Sequence, residues 1–308
     1  MSTTPTTPDI PYTVVGGSSQ EPEIAAVTLV LLNRGGKYLR EESLRRVQEL
    51  GFGEVISVEG RERSYNVENL AKSFPRTRFL LLESELSPGV QVNLAARECR
   101  SRLLYVAWHD MDLQGIPARV EQKVVEERLL CIAPMLRSER GEVMPTLVSP
   151  SFHRSGLRVL QLPPQRAGMK TLYPYDFVGL YNLERFLSVG GFSDRIPGRF
   201  WQLMDFGFRS HMWGEQILGS TTFRGGYSSK TPPEDQTADL PTRLLAAEIT
   251  REQLTLQLHQ ELPYQLTVEP EEWEEFRDGS VRIAQVVYVA REGHKGIALG
   301  RGGETIKR

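Results

Sequence analysis

From Ile24 onward, short apolar runs alternate with segments whose apolar residues recur every three or four positions. The run Ala25 to Leu32 suits a buried strand, and a helix is predicted over Leu39 to Leu50. In that helix Leu39, Leu44, Val47 and Leu50 fall near one face, while Arg40, Glu41, Glu42, Arg45 and Arg46 cover the other. Gly51 then ends it. The alternation continues with a strand at Glu54 to Val58, a helix near Val67 to Phe74 and a strand at Arg78 to Leu82. A helix from Gly89 to Arg100, opened by Ser87-Pro88, leads into a strand at Leu103 to Trp108. Such a series predicts an α/β fold: a mostly parallel sheet with helices on both faces and ligands at the carboxyl ends of its strands.

Breakers mark the limits of this region. Residues 1–23, with Thr3-Thr4-Pro5 and Gly16-Gly17-Ser18-Ser19, read as a disordered leader. Gly225-Gly226, Ser228-Ser229 and Pro232-Pro233 cluster among polar residues, which gives a domain over 24–226 and a linker over 227–242. The remainder, 243–308, opens with a predicted helix from Arg243 to Glu261 and continues with strands at Tyr264 to Val268 and Val281 to Val289. It reads as a small α+β domain.

Composition narrows the class without naming it. Of 308 residues 40% are hydrophobic, and 37 Lys+Arg against 39 Asp+Glu leave a net charge of −2. These proportions fit a folded chain of about two domains and exclude disorder as the main state. The longest apolar runs fall short of the roughly 18 residues of a membrane span, so none is expected. The N-terminus lacks the basic flank and apolar core of a secretion signal, which predicts a cytoplasmic address. Cys99 and Cys131 form no C-x-x-C pair and are read as small core residues. With a near-neutral total charge, any binding of nucleic acid must come from a local patch.

Two carboxylates stand where the strand at Leu103 to Trp108 ends, in His109-Asp110-Met111-Asp112. Asp110 and Asp112 could address a hard divalent cation that neutralises a diphosphate; the spacing alone fits two residues of a solvated loop better, and only the context changes that. Their context resembles the family 2 glycosyltransferases of GT-A fold over roughly Ile24 to Gly226. Three stretches carry the resemblance. Asn93-Leu94-Ala95-Ala96-Arg97-Glu98 leads into the strand and the D-x-D at Asp110 and Asp112. Phe177 to Asn182, Phe186 and Val189-Gly190-Gly191-Phe192-Ser193-Asp194 look like the acceptor-side segment. Asp205-Phe206-Gly207-Phe208-Arg209, with Trp213-Gly214 beyond, is similar to the family's E-D-x-D-L-G-x-R helix.

The resemblance implies a nucleotide-diphospho-sugar transferase of hexosyltransferase type. Asp110 and Asp112 would hold magnesium or manganese, and Glu59, after the second strand, would meet the nucleotide; a solvated turn residue suits Glu59 as well. One departure stands out: Gln202 and Leu203 occupy the places of the acidic pair that supplies the family's base, and neither accepts a proton at neutral pH. Asp205 could take over as base, transfer could follow another geometry, or the domain could bind a nucleotide sugar with poor turnover or none; the alternative is a non-catalytic RNA-associated protein whose α/β domain is a scaffold or only binds nucleotide sugar. His211 as a further metal ligand, and Trp201 and Trp213 as sugar platforms, stand against readings as a surface histidine and ordinary packed aromatics.

The last segment supplies the local patch. Arg291, Lys295, Arg301, Lys307 and Arg308 against Glu292 and Glu304 leave a surplus of three positive charges. Within it, Gly296 to Gly303 offers glycines that let a nucleic-acid backbone come close. Pro233-Glu234-Asp235-Gln236, Leu244 to Ile249, Arg251 to Leu254, Glu261-Leu262-Pro263-Tyr264, Val281 to Ala284 and Val287 to Val289 resemble the C-terminal part of Era-type GTPases, and Lys295 to Gly303 resembles a type II KH loop. This implies single-stranded RNA binding through Lys295, Gly300, Arg301, Gly302, Gly303 and Lys307. No G-x-x-x-x-G-K-[ST] phosphate loop occurs, so GTP hydrolysis is not expected. The sequence stops one turn past the loop, which predicts a truncated KH module: either a partner completes its two-stranded sheet, or it is a remnant with weakened RNA affinity. The acidic residues Glu269, Glu271, Glu272, Glu274 and Glu275 read as a solvated hairpin face.

Overall fold

Strands that stay apolar along their whole length need cover on both faces, and the computed structural model supplies it. It describes residues 10–17, 26–34, 40–60, 66–153, 156–196, 198–227, 250, 266–276 and 281–289. In chain order the first elements are β1 (Tyr12–Gly16), β2 (Val27–Leu32), α1 (Arg40–Glu49), β3 (Glu54–Glu59), α2 (Val67–Ser73), β4 (Thr77–Leu82), α3 (Pro88–Glu98) and β5 (Leu103–Trp108). Then come β6 (Met111–Leu113), α4 (Ala118–Glu126), β7 (Cys131–Arg137), the hairpin β8 (Leu147–His153) and β9 (Gly156–Leu162), β10 (Met169–Lys170) and β11 (Gly179–Asn182). The series closes with α5 (Leu183–Ser188), α6 (Arg199–Met212), β12 (Ile217–Tyr227), β13 (Leu266–Glu275) and β14 (Val281–Val289).

The chain divides into two units, Met1–Glu234 and Asp235–Arg308. In the first, one sheet runs β1-β4-β3-β2-β5-β11-β7-β12-β10, with β6 on β12. Strands β4, β3, β2 and β5 are mutually parallel, as are β7 and β12. Between these blocks lies β11, antiparallel to both β5 and β7. Every residue of β2, β3 and β5 is buried. The core they build takes in Trp108, Tyr105, Tyr181, Phe186, Phe192 and Phe206.

Register positions the site. Leu32 of β2 lies opposite Trp108 of β5, so the two strands end level. The chain leaves β2 toward β3 on one side, while β5 lies on the other, and this change of direction opens a crevice at the carboxyl ends. The residues just past them, Arg34 and Asp110, therefore emerge side by side.

Two sequence expectations are corrected. The predicted leader contains β1: Tyr12 to Gly16 pair antiparallel with Leu82 to Arg78, and the Tyr12 hydroxyl donates to Glu98 at 2.8 Å. The run Tyr12-Thr13-Val14-Val15 is short but rich in strand formers, and pairing with β4 overrides the neighbouring glycines. The predicted linker starts one residue early, since Tyr227 is the last residue of β12, and the glycines that suggested a break, Gly225 and Gly226, are part of the same strand. They lie in β12, opposite Leu113 and Asp112 on one side and Leu136 and Arg137 on the other.

In the second unit β13 and β14 form an antiparallel pair, and the acidic run falls within β13. The predicted helix from Arg243 to Glu261 lies outside the described residues except for Thr250. No helix among the described residues is long and apolar enough to cross a membrane.

Candidate functional site

Arg34 reaches three groups at once. Its Nε donates to both carboxylate oxygens of Asp110, at 3.2 and 3.0 Å, and its Nη2 lies 2.7 Å from Asp176 Oδ2. The guanidinium also stacks over Trp108, 4.0 Å from the ring centre. Burial works against its charge, but Asp176, with Tyr227 and Asp110, outweighs that and holds the Arg34 pKa above its ordinary value. Asp176 is fully buried and takes an ion pair from Arg199 and the Tyr227 hydroxyl at 3.0 Å. Burial, then Asp176, push the Tyr227 phenol well above the usual range.

The turn that carries Asp176 is unusual. Asp176 and Phe177 have φ of 54° and 65°, a left-handed conformation that costs a non-glycine residue on the order of 1 kcal/mol. Hydrogen bonds hold it there: Trp108 Nε1 donates to the Asp176 carbonyl at 2.9 Å and the Tyr181 hydroxyl to the Phe177 carbonyl at 2.7 Å. Sequence reasoning missed Arg34, Asp176, Arg199 and Tyr227. Only Arg34 left a signal, standing two residues past an apolar strand as Asp110 does.

Beside this network lies an open cleft of about 500 Å³, walled by Arg46 of α1, Asp112 of β6, Arg137 and Glu139 at the end of β7, and Arg224 and Tyr227 of β12. Tyr227 belongs to both cleft and network. Arg46, Arg137 and Arg224 are exposed, and among the described residues none pairs with a carboxylate. A cleft with three guanidiniums against Asp112 and Glu139 suits a polyanion, for which arginine offers several donors at fixed geometry.

The D-x-D divides its two members. Asp112 is exposed in the cleft wall, whereas the Asp110 side chain, 27% exposed, faces the Arg34 guanidinium. Among the described residues no three His, Cys, Asp or Glu side chains group as metal ligands. A divalent cation at Asp110 would meet Arg34, and like charges 4 Å apart repel by roughly 4 kcal/mol per unit charge at an effective dielectric near 20. The residues present do not fit the magnesium or manganese that the resemblance implies.

Glu59 ends β3 fully buried. Ser57 donates to it at 2.8 Å, Arg40 lies 3.5 Å away and His109 Nε2 3.7 Å. His109 in turn contacts the Ser57 and Ser43 hydroxyls, at 2.8 and 3.1 Å. A buried carboxylate in such a net orients its neighbours.

The three stretches behind the family resemblance meet in space. Asn93 of α3 donates to the Phe192 carbonyl at 2.7 Å and accepts from the Phe192 amide at 2.9 Å. Gly191 sits at φ 62° against the Asn93 amide, with no room for a Cβ. From α6, Arg209 donates to the carbonyls of Val189 and Gly191 while pairing with Asp205 at 2.7 Å. Gln202 is buried: its amide nitrogen donates to Ser87 Oγ at 2.7 Å and the Ser193 carbonyl at 2.9 Å, and its oxygen accepts from the Gly89 amide at 3.2 Å. Leu203 is core. His211 is exposed, Trp213 is 71% exposed and Trp201 is partly buried. Lys295, Gly300, Arg301, Gly302, Gly303 and Lys307 lie outside the described residues.

Comparison with known proteins places both units. Residues 261–308 match the family model described as KH domain. Over 75 residues, 24% of this chain, the sequence is 76% identical to the GTPase Era of Dinoroseobacter shibae and 69% identical to that of Sinorhizobium medicae. Those matches cover 24% of each relative, so the chain spans about a quarter of their length. Among solved structures, GalNAc-T7 with UDP, GalNAc and Mn2+ superimposes with a TM-score of 0.51 at 12% identity, over 79% of this chain and 52% of that one. S. aureus TarS 1-349 in complex with UDP-GlcNAc gives 0.51 at 11%, over 77% and 67%. Identity at that level speaks for the fold: the α/β unit is a GT-A fold, and a KH-type segment follows it.

Proposed function

We propose that the α/β unit is a glycosyltransferase domain of hexosyltransferase type that takes a nucleoside-diphospho-sugar into the arginine-walled cleft, and that the KH-type segment binds single-stranded RNA. The observation that carries the first part is the placement of Asp112 with Arg46, Arg137 and Arg224 at the strand ends of a GT-A fold. Fixed positive groups around a diphosphate stabilise the charge that develops as it leaves. Two solved relatives in fold hold UDP or UDP-GlcNAc, which supports the donor class. The KH match supports the second part, with Gly300 to Gly303 as the backbone-gripping loop.

Within this reading Glu59 acts through Arg40 and His109 and not by touching the nucleotide, since its carboxylate is buried. Asp205, paired with Arg209, braces the Gly190-Gly191 turn. A second reading, donor binding without transfer, is favoured by one observation: Gln202 and Leu203 are packed into the core where the family keeps its acidic pair. Incubating the full chain with UDP-GlcNAc as probe and following UDP release separates the two. Release above a no-protein control supports transferase-type chemistry, binding without release supports the second reading, and neither binding nor release refutes both.

A further inference from the structure

The D-x-D of a GT-A fold leads one to look for a cation between its carboxylates and the diphosphate, yet here a guanidinium of the chain itself already stands at the first carboxylate. Arg34 is not loosely placed. It is held by Asp110 at 3.0 Å and Asp176 at 2.7 Å and is stacked on Trp108 at 4.0 Å. Arg199 pairs with the same Asp176 and stacks on the same indole at 4.9 Å, so two aspartates and two arginines share one network. Next to it Arg46, Arg137 and Arg224 turn into the cleft with no carboxylate partner among the described residues.

We propose that this domain holds a nucleoside diphosphate without a metal ion: Arg34 occupies the cation's place at Asp110, and Arg46, Arg137 and Arg224 supply the positive charge that meets the diphosphate. The inference rests on the nucleotide-sugar reading above. It assigns arginine side chains to work that the resemblance gives to magnesium or manganese. Arginine suits the task because its planar fork offers paired N–H donors to phosphate oxygens and keeps its charge at any ordinary pH. Asp112 is then left to orient the ligand through its hydroxyl groups or ordered water instead of anchoring an ion.

Isothermal titration calorimetry of the full chain with UDP, in EDTA and then in millimolar manganese, tests this directly. The expected result is the same dissociation constant within about twofold in both buffers. Arg137→Ala and Arg224→Ala should each weaken binding about tenfold in EDTA, the loss of one charge-assisted contact. Both residues are exposed, so these variants keep the fold. The free-manganese electron paramagnetic resonance signal should be unchanged by protein without UDP. Binding that strengthens tenfold or more with manganese, or that ignores both substitutions, overturns the metal-free proposal while leaving the nucleotide-sugar reading intact. Absence of UDP binding in both buffers overturns both.

Discussion

Arg34 and Asp176 face each other across 2.7 Å in the core of the site, although 142 positions of sequence separate them. Neither charge stands alone, because Asp110 shares the arginine and Arg199 and Tyr227 share the aspartate. Removing one member leaves this buried network one charge out of balance, which costs up to about 3–5 kcal/mol. Arg34→Ala and Asp176→Ala should each lower the unfolding free energy, read from urea titrations, by that measure. The double variant should fall well short of the sum; additive losses in the cycle would show the pair to be uncoupled.

Gln202 joins α6 to the start of α3 and to the Ser193 carbonyl through three hydrogen bonds. Gln202→Glu replaces the donating amide with a carboxylate that can only accept, against a hydroxyl and a carbonyl. A loss of about 1–3 kcal/mol is expected in thermal or chemical unfolding. Restoring the family's acid at this one position should therefore not restore a base, and UDP release from UDP-GlcNAc should not rise.

Tyr105 is fully buried in β5, and its hydroxyl has no hydrogen-bond partner among the described residues. Burial raises its pKa above that of an ordinary phenol. Tyr105→Phe is expected to stabilise the protein by about 1 kcal/mol at neutral pH, since it removes an unsatisfied polar group. Because the folded pKa is the higher one, the proton is held more tightly in the native state. The wild type should keep its full stability below about pH 10 and lose it as pH rises above that, by about 1.4 kcal/mol per pH unit for this group. Tyr181, Tyr227 and Cys131 are raised in the same direction, so the variant should show a shallower alkaline decline and not a flat one. Urea midpoints at pH 8 and pH 10.5 check both parts.

Gly300→Asp together with Gly303→Asp should abolish binding of a short single-stranded RNA in a low-salt filter or anisotropy assay. The aspartates add both bulk and negative charge where a phosphate backbone would approach. UDP affinity should stay unchanged. A joint loss would contradict the assignment of the two ligands to separate units.

The strand and helix pattern from Val27 to Trp108 was legible because its elements are long enough to show their period and β2, β3 and β5 are buried on both faces. Asp110 and Asp112 were legible as a motif, but not their separation into a half-buried ion pair and a cleft wall. That depends on Arg34, whose proximity arises from the level ends of β2 and β5. Asp176 left no trace, since its left-handed turn is imposed by Trp108 and Tyr181 from other parts of the sheet. The cleft arginines come from α1, β7 and β12, elements distant in sequence and brought together only by sheet order. Gly225-Gly226 misled for a local reason: two glycines read as a break, whereas β6 and β7 on either side hold them extended.

The pairing of β1 with β4 has a practical consequence. An investigator trimming a proline- and threonine-rich tail to improve crystals would cut away Tyr12 to Gly16 and bare the flank of β4. That flank would present a row of open amide and carbonyl groups, an invitation for neighbouring molecules to add strands of their own. The opening residues that look most dispensable thus include a strand of the sheet itself, which covers β4 and leaves only its own five-residue outer edge open.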